Sequence, residues 1–188
     1  EQWLGWLLFG RLRQPLVAAA RATDAIDLSI DSDDLMAQVA AILKTQLDIE
    51  HCAILVLDRE HRLIDPAETG RARAAEGLEI KPGSALDQWL VGDTSVIEID
   101  EARQKLLDTP GRVFFGVPWV NLMLPLRNQG RLVGVLLTSY RSGASFLDEE
   151  DIIVLKLTAQ ALATALQRRT LLVELREKTA EASQRSHE

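Results

Sequence analysis

Apolar residues along the chain fall into two kinds of pattern, helical repeats towards the ends and short continuous runs between them. Leu35, Val39, Ile42, Leu43 and Leu47 recur every three or four residues, which predicts a helix with one buried face reaching about Asp48. Asp31-Ser32-Asp33-Asp34 ahead of it offers an N-cap and early acidic charge. HCAILVLD, residues 51–58, then reads as a strand, turned by Arg59-Glu60-His61-Arg62 into a second strand over residues 63–67. The polar stretch 68–81 reads as a mobile loop.

After that loop, Ser84 caps a short helix carrying Leu86, Trp89 and Leu90, with Gly92-Asp93 as its end. Residues 96–99 form a brief strand, 101–107 a further short helix and 108–117 a second irregular loop. LPLRNQGRLVGVLL, residues 124–137, is a β-hairpin: two apolar runs separated by Arg127-Asn128-Gln129-Gly130, with Gly130 free to take a positive φ. Pro125 cannot donate to a ladder and belongs at a strand end or an outward edge. Neither HCAILVL nor LVGVLL alternates polar with apolar, so both faces of these strands should be covered. From Ser145-Phe146-Leu147-Asp148 a helix runs on without proline or glycine, its first turn rich in acidic residues.

Composition narrows the possible roles. The chain has 188 residues, suited to one domain plus extra helix, and 47% hydrophobic content can build a core. A formal net charge of -7 and the lack of a basic stripe argue against nucleic acid as partner. One cysteine, Cys52, excludes an internal disulfide framework and fits a reducing, cytoplasmic setting. The uncharged run 113–126 spans 14 residues, shorter than the roughly 20 needed to cross a bilayer. No membrane contact is therefore expected within this chain. Numbering opens on Glu1, which suggests a piece of a longer protein. Trp3-Leu4-Gly5-Trp6-Leu7-Leu8-Phe9, followed by Arg11 and Arg13, has two readings: the inner end of a membrane helix in an anchored parent, or a helix whose tryptophans pack on a partner or the domain.

The order of these segments resembles a GAF domain, the small ligand-sensing module of signalling proteins. The helix before CAILVLD, the GSALDQWLVGDTSVIEID segment, the LPLRNQGRLVGVL hairpin and FLDEEDIIVLKLTAQALATAL carry the likeness, from about Asp33 to Leu166. It implies an α+β fold: an antiparallel β-sheet of five or six strands with helices on both faces, flanked by long N- and C-terminal helices. The first and last helices share one face, while two irregular loops roof the other, where a small molecule can sit. The domain limits that follow are 1–31 for an N-terminal signalling helix, 32–167 for the domain and 168–188 for a helix leading to an output module.

Trp89, Phe114, Phe115 and Trp119 lie in or beside the roofing segments, and they are the ligand-pocket candidates. Ordinary core packing is the competing reading, since aromatics dominate core burial in any case. Asp100 stands where family members place an aspartate; a cap for the helix after it is the simpler role. The cofactor is unknown. Bilin-binding relatives use a loop cysteine, whereas Cys52 opens a buried strand. Cyclic-nucleotide-binding relatives carry an Asn-Lys pair that this sequence lacks. His51, His61 and His187 are dispersed, which offers little to haem or a metal. Relatives that reduce free methionine sulfoxide need two thiols, so no catalysis is expected of this chain.

The ends suggest how a signal would leave. Leu12, Leu16, Ala19, Thr23, Ile26 and Ile30 form a weak heptad interrupted by Pro15, and Leu155, Leu162, Leu166 and Val173 form a stripe broadened by Leu171, Leu172 and Leu175. Such helices suit a homodimer joined through both termini. EKTAEASQRSHE is similar to the linker before the dimerisation helices of histidine kinases, although the apolar residues that normally precede the phosphoacceptor triplet are absent, and His187 reads as a tail residue. We expect a sensory domain of a signal-transduction protein whose parent is a two-component histidine kinase. The alternatives are a ligand-free dimerisation spacer, or the sensor of a transcription regulator or cyclic-dinucleotide enzyme.

Overall fold

A computed structural model of the chain describes residues 32–67, 72–92, 96–99, 114, 116–143 and 146–185. The heptad from Leu12 to Ile30, Asp100, Phe115, the helix expected over 101–107 and the tail histidine lie outside the described residues. Helix α1 (Ser32–Leu47) leads into strands β1 (Cys52–Leu57) and β2 (Leu63–Ile64). Helix α2 (Ala85–Val91), strand β3 (Ile97–Glu98), the hairpin β4 (Leu122–Asn128) and β5 (Arg131–Thr138), and helix α3 (Glu149–Arg185) follow. The five strands form one antiparallel sheet in the order β2-β1-β5-β4-β3. The α+β architecture implied by the resemblance is the one observed.

Each face of the sheet has its own core. On one side Cys52, Ile54, Leu122, Leu124, Leu126 and Leu136 pack against Leu35, Val39, Leu43 and Leu47 of α1 and Val154, Leu155, Leu162 and Leu166 of α3. On the other, Ala53, Leu55, Met123, Val135 and Leu137 meet Leu86 and Leu90 of α2 and the residues roofing that face. The period-2 alternation of side chains sends odd and even positions of the same strand into different cores. This is why the strands read as unbroken apolar runs. Both helical ends of the domain share one face, and the other is left to α2 and loops.

The hairpin is tighter than its sequence suggests. Arg127 and Asn128 extend β4, and only Gln129 and Gly130 form the loop. Both have positive φ, 50° and 75°, the combination of a type I′ turn, which asparagine or glycine adopts at less cost than glutamine. Gln129→Asn is therefore expected to stabilise the fold by roughly 0.5–1 kcal/mol, measured as a shift of the urea midpoint at constant slope. Pro125 occupies the half of β4 that extends past its pairing with β3 at Leu122 and Met123, the edge position expected of it.

Segment 68–81 differs from the loop expected of its polar composition. Residues 72–80 fold back onto β2: Gly77 N–H donates to Leu63 O (2.7 Å), Leu63 N–H to Leu78 O (2.9 Å) and Ile80 N–H to His61 O (2.7 Å). Ala72, Ala75 and Ile80 are buried. Three apolar side chains spaced through charged neighbours suffice to dock it. The second strand is two residues long rather than five, because the chain turns at Pro66 and Ala67.

At the start of α3, Asp148 and Asp151 cap reciprocally: each backbone N–H donates to the other's carboxylate at 3.0 Å. Asp151 is buried and pairs with Arg141 at 2.6 Å. Even so, burial outweighs its hydrogen bond to the Asp148 backbone and the arginine, holding the carboxyl above its ordinary 3.8. A raised folded value means that this group favours folding below pH 3.8. That contribution is lost as the pH rises through the folded value.

Candidate functional site

The sheet face opposite the long helices is where the sequence candidates gather. Its position depends on α2, which is pinned at both ends. Gly83 turns the chain with φ 76°. Asp87 N–H then donates to Ser84 Oγ (3.2 Å), while Gly83 N–H donates to Asp87 Oδ2 (2.7 Å). The first contact satisfies one of the first-turn amides that the helix cannot satisfy for itself, and the second ties that turn to the chain before it. At the far end the helix stops at Gly92 as expected, with φ -56° rather than a left-handed conformation. There Arg127 of β4 donates through Nη1 to the carbonyls of Val91 and Gly92. Arg127 is a residue the sequence reading placed in a turn, and no local signal links it to carbonyls 35 and 36 positions away.

With α2 so held, Leu86 and Leu90 are buried and Trp89 is half-buried. Phe114 and Val117 come from the second irregular loop, Val120 from the residues leading into β4, and Ala72, Ala75 and Ile80 from the first loop. Trp89 and Trp119 both pack against this cluster from its margin, and Phe114 lies inside it at 0% exposure. Trp119 also stacks at a tilt on His51, with ring centroids 5.5 Å apart, and His51 Nε2 lies 3.5 Å from Glu50. Three of the four pocket candidates thus share one sheet face. Phe115 lies outside the described residues.

This arrangement can offer a ligand aromatic and aliphatic surface, with His51 and Glu50 beside Trp119 at its margin. Because Phe114 has no exposed surface, a molecule reaching its ring would have to displace a roofing loop or α2. Among the described residues, no three His, Cys, Asp or Glu side chains group in a way that could hold a metal ion, and Cys52 is buried on the opposite face. No helix among them is long and apolar enough to cross a membrane. A groove of about 210 Å³ lies at the outer edge of β4 against α3, lined by Pro125, Arg127, Lys156, Ala159 and Gln160. The guanidinium there is already turned to the carbonyls of α2.

Solved structures share this architecture. The GAF domain of an Acinetobacter phosphoenolpyruvate-protein phosphotransferase superposes with a TM-score of 0.61 at 15% identity, over 85% of this chain and 96% of its own. The GAF domain of the Escherichia coli potassium sensor histidine kinase gives 0.55 at 17% identity, over 85% and 98%. Residues 122 to 287 of a methyl-accepting chemotaxis protein give 0.58 at 22% identity, over 80% and 98%. At these identities the likeness is one of fold. No curated protein matches by sequence. A family model for the GAF domain, however, matches residues 29–167, the span that holds both cores, the hairpin and the aromatic face. The chain belongs to the GAF domain family.

Proposed function

We propose that this chain is a sensory domain of a signal-transduction protein, most directly a two-component histidine kinase, and that it relays its state through a homodimer of terminal helices. Residues 32–167 act as the sensor, 1–31 enter it, and 168–188 lead to the output module. The aromatic face with Trp89, Phe114, Phe115 and Trp119 receives the signal as a small molecule. The observation that carries this reading is α3. It starts beneath the sheet and continues to Arg185, well past Leu166, the last residue it buries among those described. Leu171, Leu172 and Leu175 on that extension are 51%, 49% and 60% exposed. A helical stripe of this kind suits a parallel partner, and likeness to domains of a sensor kinase and a chemotaxis protein supports the same setting.

Binding at the aromatic face would shift the population of roofing-loop positions and so the packing of the helices behind the sheet. Light scattering tests the relay. The full chain is expected to be a dimer, and removal of residues 1–30 and 168–188 should yield a monomer. A trimmed chain that remains dimeric would place the interface on the sheet domain and end this reading.

A second reading, a dimerisation spacer without a ligand, is favoured by the complete burial of Phe114. Thermal melts with nucleotides, tetrapyrroles and small metabolites separate the two, because a ligand bound to the folded state raises the melting temperature with its saturation.

A further inference from the structure

Past Leu166 α3 leaves the core, and none of its described side chains from 167 to 179 is buried. One of them is nevertheless held by the sheet domain. Arg59, in the turn between β1 and β2, donates from Nη2 to Glu177 Oε1 at 2.6 Å across 118 residues of sequence. The turn that carries Arg59 is firmly built. Asp58 N–H donates to Arg62 O (2.9 Å), His61 N–H to Asp58 O (3.1 Å) and Arg62 N–H to Asp58 Oδ1 (2.8 Å). His61 takes φ 60° to close it.

The same turn is bonded to the roof of the aromatic face. Ile80 N–H donates to His61 O, Arg62 bridges Glu79, and Leu63 exchanges bonds with Leu78 and Gly77. Ile80 and Ala75 sit in the cluster with Phe114. A continuous run of backbone bonds thus leads from the aromatic face, through loop 72–80 and the turn, to one ion pair on the distal part of α3. Displacement of the loop therefore either breaks these three bonds or is passed to the turn and its ion pair.

We propose that the Arg59–Glu177 pair is a latch by which loop 72–80 sets the position of the distal half of α3. The latch holds that half against the β1–β2 turn while the loop is docked, and releases it when the loop lifts. As a regulatory device it rests on the proposed relay through α3, but it is a contact within one chain and can be examined separately.

The test is amide hydrogen exchange of the full chain, with Arg59→Gln, Glu177→Gln and the double variant. Both singles should speed exchange across 170–185 by about two- to fivefold, the range an exposed ion pair can supply. The double variant should add nothing further. One molar salt should reproduce the effect in the wild type and leave the double variant unchanged. By reciprocity, the amides of Gly77 and Ile80 should exchange faster in the same variants. Unchanged exchange in 170–185, additive singles, or faster exchange of α3 with no change at Gly77 and Ile80 would each overturn the latch. A chain that is monomeric by light scattering yet shows the coupled exchange would remove the dimeric relay and leave the latch standing.

Discussion

Gly134→Ala should be the most damaging glycine-to-alanine change among the described residues, with an expected loss of about 3 kcal/mol or more of unfolding free energy. Gly134 lies in β5, the central strand, paired with Val56 on one side and Leu126 on the other. A Cβ at this position would come 2.3 Å from the Leu55 carbonyl oxygen, 3.2 Å from Val56 Cα and 3.3 Å from Leu126 Cδ1. The nearest atoms belong to the backbone of a neighbouring central strand, so no side-chain rotation relieves the clash. Either β1 moves away from β5, at a cost in ladder bonds on which both cores rest, or the strand twists further at the adjacent bulge between Leu126 and Arg127. Against a typical total of about 5–15 kcal/mol, this is enough to leave the variant marginal at 37 °C. Urea unfolding followed by circular dichroism measures it. Gly143→Ala is the control: it lies at a positive φ with open space around its Cβ, and should cost only the strain of that backbone conformation, about 1–2 kcal/mol.

Phe114→Ala follows closely, with an expected loss of about 3–5 kcal/mol, the range for emptying a fully buried phenylalanine site. For a chain of this size that corresponds to a drop in Tm of roughly 6–20 °C. Phe114 has 0% exposure and contributes to the core under the roofing loops, so its loss leaves a cavity that α2 and the loops only partly close. Trp89→Ala provides the contrast. Trp89 packs on the same cluster from its margin and keeps part of its surface in solvent, so less stability should be lost. If the aromatic face receives a small molecule, Trp89→Ala reduces the ligand-induced rise in Tm more than it reduces Tm itself. A stability loss as large as that of Phe114→Ala, with the ligand response intact, would assign Trp89 to the core and favour the spacer.

Much of this architecture is legible in the order of residues because local preferences and burial agree. The repeat from Leu35 to Leu47 can bury one face only as a helix, and the two unbroken apolar runs around Gln129-Gly130 can be covered on both faces only inside a two-sided sheet. Acidic first turns and a serine ahead of Leu86 mark helix starts, because unpaired amides there need an acceptor. The resemblance to GAF domains rests on the same order of elements, and it placed Trp89, Phe114 and Trp119 in segments that do share a sheet face.

Other features depend on approach in space and leave no local trace. The polar composition of 68–81 predicts a loop in water, yet Ala72, Ala75 and Ile80 dock it because β2 offers backbone groups that need partners and the core offers an apolar surface. Arg127 holds the end of α2, and Arg59 meets Glu177, because helices packed on the sheet bring distant residues together. Gly134 in sequence is one small residue in an apolar run; only the closeness of β1 makes it indispensable. Sequence by itself determined most of the helices and strands and their two-sided burial, since these follow from periodicity and the solvation of each segment, while the family came from the likeness of its motifs and their order to GAF domains. Tertiary structure decided which loop is packed, how α2 is held and how tightly Phe114 is enclosed, since these depend on distances between segments that periodicity does not encode.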